Sequence, residues 1–185
     1  MHEALRTLSC TDGLTGLLNR RAFAEEVGRR HRHALRTGRP AALLYIDLDH
    51  FKGINDARGH QQGDAVLKGV GGLLAGATRA SDVVGRLGGD EFAIWLEETG
   101  LAGARAKAAA LVAAAATLSQ PSPSTGAALG FSIGVAVFDP AGNEALDALI
   151  GRADGAMYQA KRAGKGRFVV APMGEQHSND DEGGS

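Results

Sequence analysis

The apolar positions of the chain follow two periods. Phe23, Val27 and Ala34 recur at helical spacing behind Asn19, a good N-cap, and predict a helix to about Arg36. Gly38 and Pro40 end it. The run AALLYIDLD at 41–49 stays apolar until two aspartates, the pattern of a central strand that runs into a loop. FKGINDARGH at 51–60 reads as a short helix and turn. Gln62–Thr78 carries Val66, Val70, Leu73 and Leu74 on one face and predicts a second long helix. Its internal glycines Gly69, Gly71 and Gly72 each cost about 1 kcal/mol against alanine. Val83–Gly85 and Phe92–Leu96 flank Gly88–Gly89 and predict a β-hairpin. Leu101–Leu118 is an alanine-rich helix, Pro121–Gly126 a loop and Leu129–Phe138 a strand. Ala145–Ala163 is a helix capped by Gly164, and Arg167–Val170 is a last strand.

This order is helix, strand, helix, hairpin, helix, strand, helix, strand. It predicts an α+β sandwich, a mostly antiparallel central sheet flanked by helices, as in ferredoxin-like folds. One domain is expected over residues 12–171. Residues 1–11 read as the end of a linker helix, Glu3 to Leu8 being periodic, so the chain is expected to be part of something longer. Residues 172–185 are polar and read as a disordered tail.

Composition narrows the function classes. Net charge is −1, which gives no global argument for nucleic acid or an anionic membrane. Cys10 is the only cysteine, so an intrachain disulfide and a cysteine zinc site are excluded, and a reducing cytoplasm fits. No continuous apolar run is long enough to span a bilayer, and no signal-like segment follows Met1. No membrane contact is expected from this segment.

The acids are placed unusually. Asp47 ends an apolar strand, where a carboxylate is costly unless it is paired or holds a cation. Asp47 and Asp49 share one face if the strand persists, and Leu48 still offers a carbonyl. Asp90 and Glu91 follow Gly88–Gly89 at a turn. If the hairpin lies beside strand 41–49, Asp47 and Asp90 converge into a hard oxygen site suited to Mg²⁺ or Mn²⁺. A nucleoside triphosphate is the natural substrate class, with Lys52, Lys161 and Lys165 available for its phosphates. Each piece also reads as ordinary structure: Asp-x-Asp at a strand end, Gly-Gly-Asp-Glu as a turn, Asn55 and Asp56 as a cap, His60 as a surface residue.

Together the pieces resemble the GGDEF domain family, the diguanylate cyclases of bacterial second-messenger signalling. The resemblance is carried by GGDEF at 88–92, DGLTGLLNRRAF at 12–23, IDLDHFKGINDARGHQQGD at 46–64, FSIGVAV at 131–137 and ADGAMYQAKRAGKGR at 153–167. It implies a core like the palm of nucleotide cyclases, and condensation of two GTP into cyclic di-GMP across a dimer of domains. It implies Asp47, Asp90 and the Leu48 carbonyl as metal ligands for two Mg²⁺ or Mn²⁺ ions, with Glu91 beside them. Asn55 and Asp64 would read guanine, with His60 near the base or ribose. Lys52, Lys161 and Lys165 would meet phosphates, Lys165 standing where the family often has arginine. Gly88 and Gly89 would clear space for nucleotide, and Phe51 and Phe92 would pack beneath the acidic loops. Arg79 and Asp82 match an inhibitory product site, and Arg86 reads as a further cation for either site. A sensor or receiver domain on the N-terminal side would pair two chains. The alternative implied is a degenerate domain that binds GTP or cyclic di-GMP and signals by conformation.

Overall fold

The computed structural model describes residues 10–118 and 128–174. The expected helical stub at 3–8, the loop at 121–126 and the tail from residue 175 lie outside the described residues. The elements are α1 (Arg20–Thr37), β1 (Ala41–Asp49), α2 (Phe51–Arg58), α3 (His60–Ala77), β2 (Val83–Gly88), β3 (Glu91–Leu96), α4 (Leu101–Ala115), β4 (Gly130–Phe138), α5 (Leu146–Arg162) and β5 (Arg167–Val170). A single 3₁₀ turn, Pro140–Gly142, precedes α5. The sheet order is β2-β3-β1-β4-β5. Its first three pairings are antiparallel and β4–β5 is parallel. The fold is the expected α+β sandwich around a mostly antiparallel sheet.

β1 lies at the centre and alternates strictly. Ala42, Leu44, Ile46 and Leu48 face one core with Val70 and Leu74 of α3 and Leu111 of α4. Ala41, Leu43 and Tyr45 face the other core with Val27 of α1 and Ala153 of α5. By this alternation Asp47 and Asp49 fall on the α1–α5 side. Asp49 is spent on structure: its carboxylate accepts from Ser132 Oγ at 2.6 Å and from Gly166 N at 2.7 Å. It therefore ties β1 to β4 and to the loop that carries Lys165.

The caps read from sequence are present. Asn19 Oδ1 accepts from Ala22 N at 3.0 Å, and Gly38 closes α1 in the left-handed region with φ 69°. Several boundaries shift, β2 running on to Gly88 and α4 ending at Ala115 rather than Leu118, and two of the shifts bear on the site. α3 begins at His60 because Gly59, with φ 83°, is the whole break between α2 and α3. Of the three glycines within α3, Gly71 has a packing reason: it is buried, and a Cβ there would stand 3.0 Å from the Thr15 Cβ. The hairpin turn falls one residue later than Gly88–Gly89. Gly88 pairs with Glu91, which leaves Gly89 and Asp90 at the tip.

α5 crosses β4 almost in contact with its backbone. A Cβ built on Gly134 would stand 1.9 Å from the Ala153 carbonyl oxygen and 2.3 Å from Met157 N. This close approach sets the depth at which Lys161, in the last turn of α5, reaches β1.

Candidate active site

The register of β1 and β3 sets Asp47 directly across from Glu91. One residue further on, Leu48 N donates to the Asp90 carbonyl at 3.1 Å. In a strand a residue's N–H and C=O point the same way, so the Leu48 carbonyl also faces the turn. Asp47 is 7% exposed, while Asp90 and Glu91 are half-buried. The structure thus brings Asp47, Leu48, Asp90 and Glu91 together at one end of the sheet.

Lys161 joins them. Its Nζ lies 2.7 Å from Asp47 Oδ2. Burial nevertheless pushes the Asp47 carboxyl above its usual range, and repulsion from Asp90 and Glu91 adds to the effect against the opposing lysine. Burial works against the Lys161 ammonium too, but the Asp47 hydrogen bond and the charges of Asp47, Asp90 and Asp49 raise it above its ordinary value. Apart from burial, the acids act on both groups: Asp90 and Glu91 repel the Asp47 charge, and Asp90 and Asp49 attract the ammonium, so the corner holds more negative charge than one lysine balances.

Among the described residues no group of three or more His, Cys, Asp or Glu side chains forms a ready metal cage. Mg²⁺ keeps several waters and takes one or two carboxylates plus substrate phosphates. Two carboxylates, a carbonyl and a surplus of negative charge fit it.

The hairpin tip is held from both sides. Gly88 and Gly89 have φ 137° and 50°, and a Cβ on either would meet nothing within 4 Å. Conformation therefore demands glycine there, and the space beside them is open. Arg86 donates from Nε and Nη2 to the Gly89 carbonyl at 3.1 and 2.8 Å, and from Nη1 to both Asp12 oxygens at 3.1 Å. Arg20 donates to the Leu87 carbonyl at 2.7 Å and stands 3.6 Å from Glu91 Oε2. Burial works against the Asp12 carboxylate, but bonds from the Thr15 hydroxyl and N–H and from Arg86 hold its pKa below the ordinary value. Arg86 is thus a brace for the tip rather than a free cation. Nothing in the pattern links Asp12 to Arg86, so this brace is not legible from sequence.

The base-recognition candidates lie on the α2–α3 pair. Asn55 is half-buried, with its side chain packed against Gly63; a Cβ at 63 would fall 1.7 Å from Asn55 Oδ1. Asp64 follows directly and is exposed. Gly63 is therefore a residue that sequence reading missed, and only the space it leaves lets Asn55 take this position. Lys52 and His60 are exposed and make no ion pair among the described residues. Lys165 is exposed in the left-handed region with φ 64°, and its N–H donates to the Ala160 carbonyl. Phe92 is fully buried and Phe51 packs at the edge of the same core.

Arg79 and Asp82 sit apart from the acidic corner. Asp82 accepts from Arg79 N at 2.9 Å and from Glu97 N at 3.1 Å, so its carboxylate also shapes the turn. Both residues line a cavity of about 190 Å³ with Lys107, a cation the sequence reading did not assign. Lys107 Nζ donates to the Ala77 carbonyl. Larger cavities, of about 570 and 250 Å³, lie between α1 and β2 and beside Arg152. Neither is lined by Asp47, Asp90 or Glu91.

A family model described as "Diguanylate cyclase, GGDEF domain" matches residues 9–167. The chain belongs to the GGDEF domain family. Among relatives of this GGDEF domain, diguanylate cyclase DgcP of Pseudomonas aeruginosa is 42% identical over 173 residues, 91% of this chain and 25% of that protein. Probable diguanylate cyclase DgcC of Escherichia coli is 38% identical over 167 residues, 90% of this chain and 44% of that protein. The domain therefore spans a quarter to under half of these relatives' lengths. The crystal structure of the GGDEF domain of DgcB from Caulobacter crescentus, in complex with c-di-GMP, superposes with a TM-score of 0.80 at 32% identity, covering 88% of this chain and 95% of that one. Diguanylate cyclase SiaD of P. aeruginosa, in complex with its activator SiaC, gives a TM-score of 0.79 at 32% identity, covering 92% and 65%. These neighbours agree with an α+β fold of the nucleotide-cyclase palm kind.

Proposed function

We propose that this domain condenses two molecules of GTP into cyclic di-GMP and releases two pyrophosphates. The observation that carries the reading is the meeting of Asp47 and Leu48 with Asp90 and Glu91 at an open sheet end, inside a GGDEF domain. Asp47, Asp90 and the Leu48 carbonyl would hold Mg²⁺ or Mn²⁺, two ions per site, which supply counter-charge for the phosphates and acidity for the attacking hydroxyl. Glu91, fixed near Arg20, supports that corner. Asn55 and Asp64 read the guanine: a carboxylate accepts from N1 and N2, a donor pair adenine lacks, and would stay unpaired against ATP. His60 borders the base or ribose. Lys52, Lys161 and Lys165 face the phosphates, and lysine at 165 gives charge without the bidentate fork of arginine. Gly88 and Gly89 let the triphosphate lie close to backbone.

Each 3'-hydroxyl attacks the α-phosphate of the other nucleotide. Two P–O bonds form, two break, and two protons leave with the pyrophosphates. One domain offers half of this geometry, so a second copy completes the site. Additional regions on the N-terminal side, such as a sensor or receiver domain in the cytoplasm, would raise the effective concentration of the pair.

The test is incubation with GTP and Mg²⁺ across a protein dilution series, with ATP as control. Cyclic di-GMP from GTP alone, at a rate per chain that rises with concentration, is expected. A constant specific rate through the monomer range, or no cyclic di-GMP at any concentration, rejects the mechanism. Gly63→Ala should raise the KM for GTP about tenfold through displacement of Asn55, while the helix gains propensity. An unchanged KM would remove Asn55 from base recognition.

The Arg79–Asp82–Lys107 cavity is proposed as a product-inhibition site. The c-di-GMP bound to the related DgcB domain supports product recognition in this fold. Arg79→Ala should raise the product concentration for half-inhibition about tenfold or more. Equal sensitivity of variant and parent would reject the assignment.

A further inference from the structure

We propose that Lys161 is a displaceable internal counter-ion: its ammonium holds the cation position beside Asp47 until a triphosphate draws it away. The proposal rests on the metal-site reading above. Divalent cation and nucleotide then bind this domain with positive coupling, and the cation alone binds weakly.

The geometry argues as follows. Lys161 Nζ lies 2.7 Å from Asp47 Oδ2, and the Asp47 side chain is only 10% exposed. A divalent ion on that oxygen needs a separation of about 2.0–2.1 Å. Few directions of approach remain open on so buried a carboxylate, and Lys161 takes one of them. Two cations on one carboxylate also repel each other. The ammonium must therefore leave before the ion settles.

Lys161 is able to leave. Its side chain is 32% exposed, three times as open as Asp47. The backbone of α5 is pinned at Gly134, so the movement belongs to the flexible four-carbon stem. The neighbouring acids offer it no better place: Asp90, whose charge already draws the ammonium, is itself a carboxylate of the proposed ion site. Asp49 is occupied by Ser132 and Gly166, and Glu91 stands near Arg20. A triphosphate beside the hairpin tip offers a further anion. The surplus negative charge around Asp47 is then met by the divalent ion, and the ammonium is met by phosphate. By linkage the coupling is reciprocal, so nucleotide also binds more tightly when the ion is present.

The experiment uses Mn²⁺ as a probe, with free ion read by electron paramagnetic resonance. The parent, Lys161→Met and Lys161→Arg are titrated with and without a non-hydrolysable GTP analogue. Without nucleotide, K161M should bind Mn²⁺ roughly 5- to 150-fold more tightly than the parent, and K161R should follow the parent. The analogue should raise the parent's Mn²⁺ affinity by a larger factor than it raises that of K161M. Circular dichroism in chelator checks the fold, with Lys161→Gln as the second neutral variant. The proposal is overturned if a folded neutral variant binds Mn²⁺ alone no more tightly than the parent while both bind it with the analogue. If the parent takes no Mn²⁺ even with the analogue, the metal-site reading itself fails, and this proposal with it.

Discussion

Asp90→Ala is expected to lower cyclic di-GMP formation by roughly 10³-fold or more and to leave the melting temperature within about 2 °C. The two halves of this expectation have separate causes. The Asp90 backbone serves the fold through its carbonyl, which accepts from Leu48 N, and alanine keeps that carbonyl. Its side chain sits at a turn tip whose shape is set by Gly88, Gly89 and the two arginine braces. A half-buried turn residue replaced without disturbing such features changes stability by about 0.5 kcal/mol or less. In the proposed reaction the same carboxylate holds an ion worth several kcal/mol of transition-state stabilisation, and about 1.4 kcal/mol is tenfold in rate. Product analysis beside a melting curve separates the two. Undiminished product would remove Asp90 from the chemistry, and a large fall in melting temperature would make it a structural residue.

Gly134→Ala should be the most damaging small substitution in the core, at about 3 kcal/mol or more, or roughly 6–12 °C in melting temperature. The methyl has no room, since it would overlap the Ala153 carbonyl and crowd Met157 N. These are backbone atoms of a helix, so no side-chain rotation relieves the clash. α5 must lift from the sheet and take Lys161 away from Asp47. Calorimetry on the metal-free protein tests the first effect. A melting temperature unchanged within 2 °C would mean that α5 does not lie against β4 at this depth.

The large elements of the fold are legible because their signals are local. A continuous apolar run marks β1 as a central strand, and Asn19 and Gly38 mark the ends of α1. Asp47 is legible because an acid at the end of an apolar strand is a local contradiction. The partners of these residues are not legible. Asp12 finds Arg86, Asp49 finds Gly166 and Asp47 finds Lys161 only through the sheet order and the depth of the helices, which no periodicity encodes. The family resemblance implies Lys161 as a phosphate ligand, yet its ammonium lies on an acid. Gly63 and Gly134 escape notice for a related reason. A glycine in a helix or strand looks like a weakness until the atom that fills its missing side chain is known.

The distance in sequence between Asp47 and Lys161 also bears on how the domain is born. At a synthesis rate of about 5–20 residues per second, on the order of 10 s separates the emergence of Glu91 from that of Lys161. Over that interval the ribosome presents β1, β2 and β3 with their acids while α4, β4 and α5 follow in turn and Lys161 is still to come. The acidic corner gains the Lys161 counter-charge only when the last of its helices arrives. A nascent or truncated chain holds the motif and lacks the Lys161 contact, so the proposed turnover would follow only once α5 has been made.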